Sequence, residues 1–144
     1  PNPKEVLISV LSTEGDGTPD QALIDAVDAA LNDDEVRPLT DEVTVQAATI
    51  TRFDVTATLI TLPGVSPTAV LVEAQASLDA YLASRNKVSR DVTLAGISGA
   101  LMLAHKENTV YSVGVTDPPA DLVAGDHEAL LVENINVTLG GVNE

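Results

Sequence analysis

Residues Val36–Leu62, VRPLTDEVTVQAATITRFDVTATLITL, decide how the rest of the chain is read. Val43, Val45, Ala47, Phe53, Val55, Ala57 and Leu59 fall on odd positions, while Thr44, Gln46, Arg52, Asp54, Thr56 and Thr58 fall on even ones. Successive side chains of a β-strand point to opposite faces, so this alternation predicts one buried and one solvated face. Valine and threonine, branched at Cβ, suit such a pleated, half-buried surface. Ile50 breaks the parity, which predicts a bulge or bend near Ala48–Ile50. One strand is then expected at about Val43–Ala48 and the next at about Thr51–Leu62. A single strand of that combined length would far exceed the usual ~5–6 residues, so the chain is expected to change sheets at the bend. The bend is also a predicted hinge, and it divides the chain into domains over residues 1–48 and 49–144.

Upstream, Val6–Ser12 (VLISVLS) has apolar residues at both parities, the pattern of a sheet-interior strand. Thr13–Gly17 predicts a polar turn with Gly15 and Gly17 supplying backbone freedom. A helix follows, with Thr18 as N-cap, Pro19 at its first position and Gln21 closing a capping box. Its expected apolar stripe is Ala22, Leu23, Ala26, Val27, Ala30 and Leu31, and it ends at 32–35. Arg37-Pro38 then imposes an extended entry to the central strands, with Arg37 placed to pair with Asp41 or to meet the helix's last carbonyls.

Downstream, Pro63-Gly64 marks a turn, and Ser66-Pro67 opens a second helix whose face is Val70, Leu71, Ala74, Leu78, Tyr81 and Leu82. Asn86–Asp91 is a polar link. Thr93 caps a third helix, Leu94–Ala104, with Ile97, Leu101 and Ala104 inward. Gly96 and Gly99 each weaken it by about 1 kcal/mol relative to alanine, a cost offset where a neighbour approaches closely. Val110–Val115 reads as a strand stopped by Asp117-Pro118-Pro119, followed by an irregular acidic loop over 120–128. Leu130–Leu139 reads as the last strand, with Leu131, Ile135, Val137 and Leu139 on one side and a frayed tail after it. The order is β-α-β, then β-α-α-β-β. This predicts an α+β fold of two small consecutive sheet-plus-helix domains.

Composition narrows the function. Hydrophobic residues make up 44% of the 144, enough for a core, but Phe53, Tyr81 and Tyr111 are the whole aromatic set, so that core is aliphatic. Seven basic residues stand against 22 acidic ones, a net charge of −15. Nucleic acid and anionic membranes are disfavoured as partners, since phosphates require clustered Lys and Arg. The charge reads as a solvated acidic surface, or as steering towards a basic partner. With no cysteine, disulfides, thiol nucleophiles and thiolate metal sites are excluded. No apolar run approaches the ~20 residues of a membrane-spanning helix. The start Pro1-Asn2-Pro3 reads as an interior segment, so a fragment or processed product is expected.

Motifs for chemistry are weak. Glu14-Gly15-Asp16-Gly17 with Asp20 resembles a cation loop but lacks the alternate ligands and closing glutamate of a calcium hand, and reads as a plain turn. His105 and His127 are the only histidines, 22 positions apart, and read as two separate surface or half-buried residues. Gly96-Ile97-Ser98-Gly99 is not a nucleophile elbow, and no phosphate loop occurs. Asp33-Asp34-Glu35 and Asp16–Asp20 read as solvated acidic ends of one helix, or as an acidic docking patch. No catalytic, cofactor-binding or metal-ligating residue is assigned, and no cofactor or small-molecule substrate is expected. Two rival readings remain from the residues alone: a ligand-binding or regulatory α+β domain, and a hydrolase using Asp or Glu with His127.

Several stretches together carry a family resemblance: Val10-Leu11-Ser12 with Gly15-Asp16-Gly17-Thr18-Pro19, then Val36-Arg37-Pro38-Leu39-Thr40-Asp41 and Val43–Ala48. Ala57-Thr58-Leu59, Pro63-Gly64, Ala80-Tyr81, a glycine-like Ser89 before Arg90-Asp91-Val92, and Pro119–Val123 continue it. The chain resembles the baseplate J family of contractile-tailed phages over most of its length. The match is loosest in the acidic loop 125–128 and from Asn134 onward. The resemblance implies a non-enzymatic wedge component of the tail baseplate. Its expected partners are other baseplate wedge and tail proteins, met in the virion after assembly in the bacterial cytoplasm. Family chains are longer, with a β-rich domain preceding this part.

Overall fold

The computed structural model describes residues 4–33, 35, 41–102 and 109–143. Eight elements follow in order: β1 (Lys4–Val10), α1 (Gln21–Leu31), β2 (Asp41–Ala47), β3 (Thr49–Thr61), α2 (Pro67–Arg85), α3 (Leu94–Met102), β4 (Val110–Asp117) and β5 (Glu128–Val142). The fold is α+β, and the expected element order holds. β1 and β2 form a parallel pair, joined through α1, while β4-β3-β5 form a second sheet.

The central stretch behaves as its parity requires. In β3, Val55, Ala57, Leu59 and Thr61 are buried and the residues between them are not. The change of sheet falls on one residue. The Ala48 N–H donates to the Val10 carbonyl at 2.8 Å, continuing the first ladder, and the Thr49 N–H donates to the His127 carbonyl at 2.9 Å, opening the second. β3 runs antiparallel to β4 and parallel to β5, with an extra residue of β5 at Glu133 and another at Gly140.

The core lies in the second sheet and its helices. Val70, Ala74, Leu78 and Leu82 recur every fourth residue on α2, and with Ile97 and Leu101 of α3 they close over Val55, Ala57 and Leu59. A one-face stripe of this kind is what drives a helix onto a sheet. Leu71 and Tyr81 pack at the rim of this cluster, as read from the sequence. Gly96 sits beneath Tyr81, while nothing lies within 4 Å of the position a Gly99 Cβ would take.

Several expectations are corrected. α1 begins at Gln21 rather than Pro19, because the Asp20 carboxylate accepts from the Leu23 N–H at 2.7 Å and supplies the cap in place of Thr18. Its half-buried positions are Ile24, Val27 and Leu31, not the wider stripe, because only β2 stands against it. β1 runs from Lys4 to Val10, and Val6 and Leu7 are exposed because a two-stranded sheet has no interior strand. Ala47, at the end of β2, is exposed for the same reason. The residues 140–142 are not a frayed tail: a bulge at Gly140 returns β5 to register, pairing Gly141 with Ile60 and Val142 with Thr61. The 120–128 loop is pinned rather than irregular. Leu122 exchanges backbone hydrogen bonds with Val92, and the Leu94 N–H at the start of α3 donates to Asp121 at 2.7 Å. Thr93 also caps α3, accepting from the Gly96 N–H at 3.0 Å. Ser66 holds the cap position of α2 without a side-chain cap bond. Ser89 adopts φ 61°, the left-handed region expected of a glycine-like position. The Arg37–Asp41 pairing, His105 and Ala104 lie outside the described residues.

Candidate functional site

Three of the polar residues named above, Asp16, Arg52 and His127, lie about the change of sheet. The turn between β1 and α1 folds back because Gly15 and Gly17 take φ of 61° and 88°, and Asp16 accepts from the Thr18 N–H at 3.0 Å. That turn presents Asp16 to Arg52 near the start of β3, where the guanidinium donates at 2.7 Å. Gly17 leaves room for its apolar neighbours: a Cβ there would lie 3.0 Å from Leu11 and 3.4 Å from Ile50. On the other side, Ser9 Oγ of β1 lies 2.7 Å from His127 Nδ1, just ahead of β5. Gln46 of β2 donates to the same hydroxyl at 3.4 Å. Thr51 of β3 donates to the Glu128 carboxylate, which also accepts from the Gly125 N–H at 2.9 Å.

Two carboxylates at this junction titrate low. Hydrogen bonds from Thr18, backbone first and then hydroxyl, with Arg52 beside them, hold Asp16 below its ordinary 3.8. The Thr51 hydroxyl and then the Gly125 N–H hold Glu128 below its ordinary 4.5. A carboxylate depressed in the folded state contributes stability that is complete above its unfolded pKa and is lost as pH falls through the folded value. Asp16 is exposed and Glu128 half-buried, so the effect is modest. The melting temperature, followed by circular dichroism, is therefore expected to fall as pH drops below the ordinary carboxylate range. D16N is expected to flatten part of that dependence. An identical acid profile in D16N and the parent would refute this assignment.

The arrangement ties the two sheets to each other across the junction. His127 and Ser9 touch, but among the described residues no carboxylate hydrogen-bonds the ring. Glu14, Asp16 and Asp20 line an open cleft of about 650 Å3 beside the turn without converging on a common point. Among the described residues no group of three or more His, Cys, Asp or Glu is placed to hold a metal. Ser98 lies on α3, away from the junction. The Glu35 N–H donates to the Asp33 carboxylate at 3.0 Å. Sequence reasoning named Asp16, Arg52, Gln46 and His127 but did not foresee the contacts that Ser9 makes with His127 and Gln46. These partners lie 118 and 37 positions away, and no local pattern encodes such contacts.

Residues 3–47 match the family described as Baseplate J-like central domain. Over all 144 residues the chain is 37% identical to Baseplate protein J of Escherichia phage P2. Both comparisons liken the chain to the baseplate J family. It spans 46% of the length of that phage P2 relative, about half. The central-domain match stops at Ala47, the last residue of β2 and one residue before the change of sheet. No described helix is long and apolar enough to cross a membrane.

Proposed function

We propose that the chain is a structural part of a contractile-tail baseplate wedge, acting through contacts with other baseplate and tail proteins and not as an enzyme. The observation that carries this reading is the 37% identity to phage P2 Baseplate protein J, sustained over every residue of the chain. The hydrogen bonds at the junction tie one part of the chain to another, which fits a structural role. Assembly parts work by surface complementarity, which requires no catalytic constellation. Within this reading the chain assembles in the bacterial cytoplasm and resides in the virion. It comprises two domains, 1–48 and 49–144, the first ending one residue after the central-domain match.

The test is immunogold labelling of intact and partly disassembled particles with an antibody raised against this chain. Gold is expected at the tail base. Absence of label there, with buried epitopes opened by disassembly, would overturn the reading.

A further inference from the structure

Sheet edges are unpaired rows of N–H and C=O groups, and native proteins guard them with charge, proline, bulges or short length. Among the described strands, three of the four edges are broken or offer a shorter uncharged run. β1 begins Lys4-Glu5 and keeps five uncharged residues, Val6–Val10, and β2 carries Glu42 ahead of the five residues Val43–Ala47. β4 is broken by register shifts that leave only Ser112–Val115 regular, with Gly114 among them. The outer edge of β5 differs. A bridge from Val88 to Ala129 and the Ser89 N–H on the Glu128 carbonyl cover its beginning. Beyond them no described strand pairs with it. Between the extra residues Glu133 and Gly140, Asn134–Leu139 stays in residue-for-residue register with Asp54–Leu59. This run, Asn-Ile-Asn-Val-Thr-Leu, holds no charge, no proline and no glycine. Every second residue turns its N–H and C=O away from β3. Leu139 is 37% exposed at the end of the run, and Val142 just beyond it is 46% exposed.

We propose that the Asn134–Leu139 edge is a β-addition site for an extended segment of a different protein. That segment alternates apolar residues, continuing the row Ile135, Val137, Leu139, with small polar ones beside Asn134, Asn136 and Thr138. Main-chain hydrogen bonds supply binding in this mode and the alternate side chains supply selectivity. Charge decides against a second copy as occupant: each copy carries −15, so pairing two brings like charge together. A basic residue flanking the incoming strand meets the exposed Glu133. The proposal deepens the structural reading by naming a contact surface. Its test concerns the edge alone, so its failure leaves the baseplate placement standing.

The test is titration of the isotope-labelled chain with a short synthetic peptide alternating threonine and valine between terminal lysines. Saturable shifts and slowed amide exchange confined to Asn134–Leu139 are expected. A backbone N-methylated version, unable to complete the ladder, is expected not to bind, and a glutamate-flanked version to bind about tenfold more weakly. Asn136→Lys with Thr138→Lys, at exposed positions, is expected to abolish binding while leaving the spectrum of the core unchanged. If that variant does not fold, the N-methylated peptide still decides. Absence of shifts at millimolar peptide, or equal binding of the N-methylated form, would overturn the proposal. Light scattering that finds the chain alone as a dimer protected at the same amides would also overturn it, by giving the edge to a second copy.

Discussion

Leu78→Ala is expected to lower the unfolding free energy by about 2–5 kcal/mol, the range for emptying a closed aliphatic site. Leu78 is fully buried at the middle of α2, between Ala74 and Leu82 and over the sheet residues Val55, Ala57 and Leu59. The buried residues around it are aliphatic, and the loss includes a cavity term besides the transfer term. Val72 on the same helix is 63% exposed, so Val72→Ala serves as the control and is expected to stay within about 0.5 kcal/mol. Urea denaturation reads both, through the midpoint at constant slope. Equal costs for the two would mean that α2 does not pack as described.

Gly96→Ala and Gly99→Ala are expected to move stability in opposite directions, although both exchange a helical glycine for alanine. A Cβ at Gly96 would lie 2.1 Å from the Tyr81 hydroxyl and 2.4 Å from its ring carbon. Tyr81 would have to swing away, loosening its contact with the Thr93 N–H at 3.3 Å and its place under the Arg85 guanidinium, 5.4 Å from the ring centre. Overpacking of this kind costs about 1–3 kcal/mol, which outweighs the gain of about 1 kcal/mol in helix propensity. At Gly99 nothing stands within 4 Å, so the propensity gain is uncontested. Thermal denaturation of the two single variants decides it, and a shift of the same sign in both would refute the close approach.

Much of this was legible along the chain. The odd-position run Val55, Ala57, Leu59 lies buried as the parity requires, and Ile50 marks the disturbance that separates the two sheets. The fourfold spacing of Val70, Ala74, Leu78 and Leu82 set the buried face of α2. The misreadings share a cause. Val6 and Leu7 look like interior residues because hydrophobicity records what a residue tolerates, not how many strands flank it. Thr18 and Asp20 are both good caps, and the choice between them depends on where the preceding turn releases the chain. The Ser9–His127 contact joins distant elements, and its legibility required the sheets to be placed first.

The single-residue passage from β2 to β3 also sets how the chain carries load. β1 lies parallel to β2, and β5 lies parallel to β3. Tension applied across Lys4 and Val142 therefore draws β1 backward along β2 and β5 forward along β3, while β2 and β3 act as one continuous tie. Both ladders are loaded lengthwise, so their hydrogen bonds must yield together rather than unzip one after another. Through this path the described fold resists stretching along its strands far better than peeling across them.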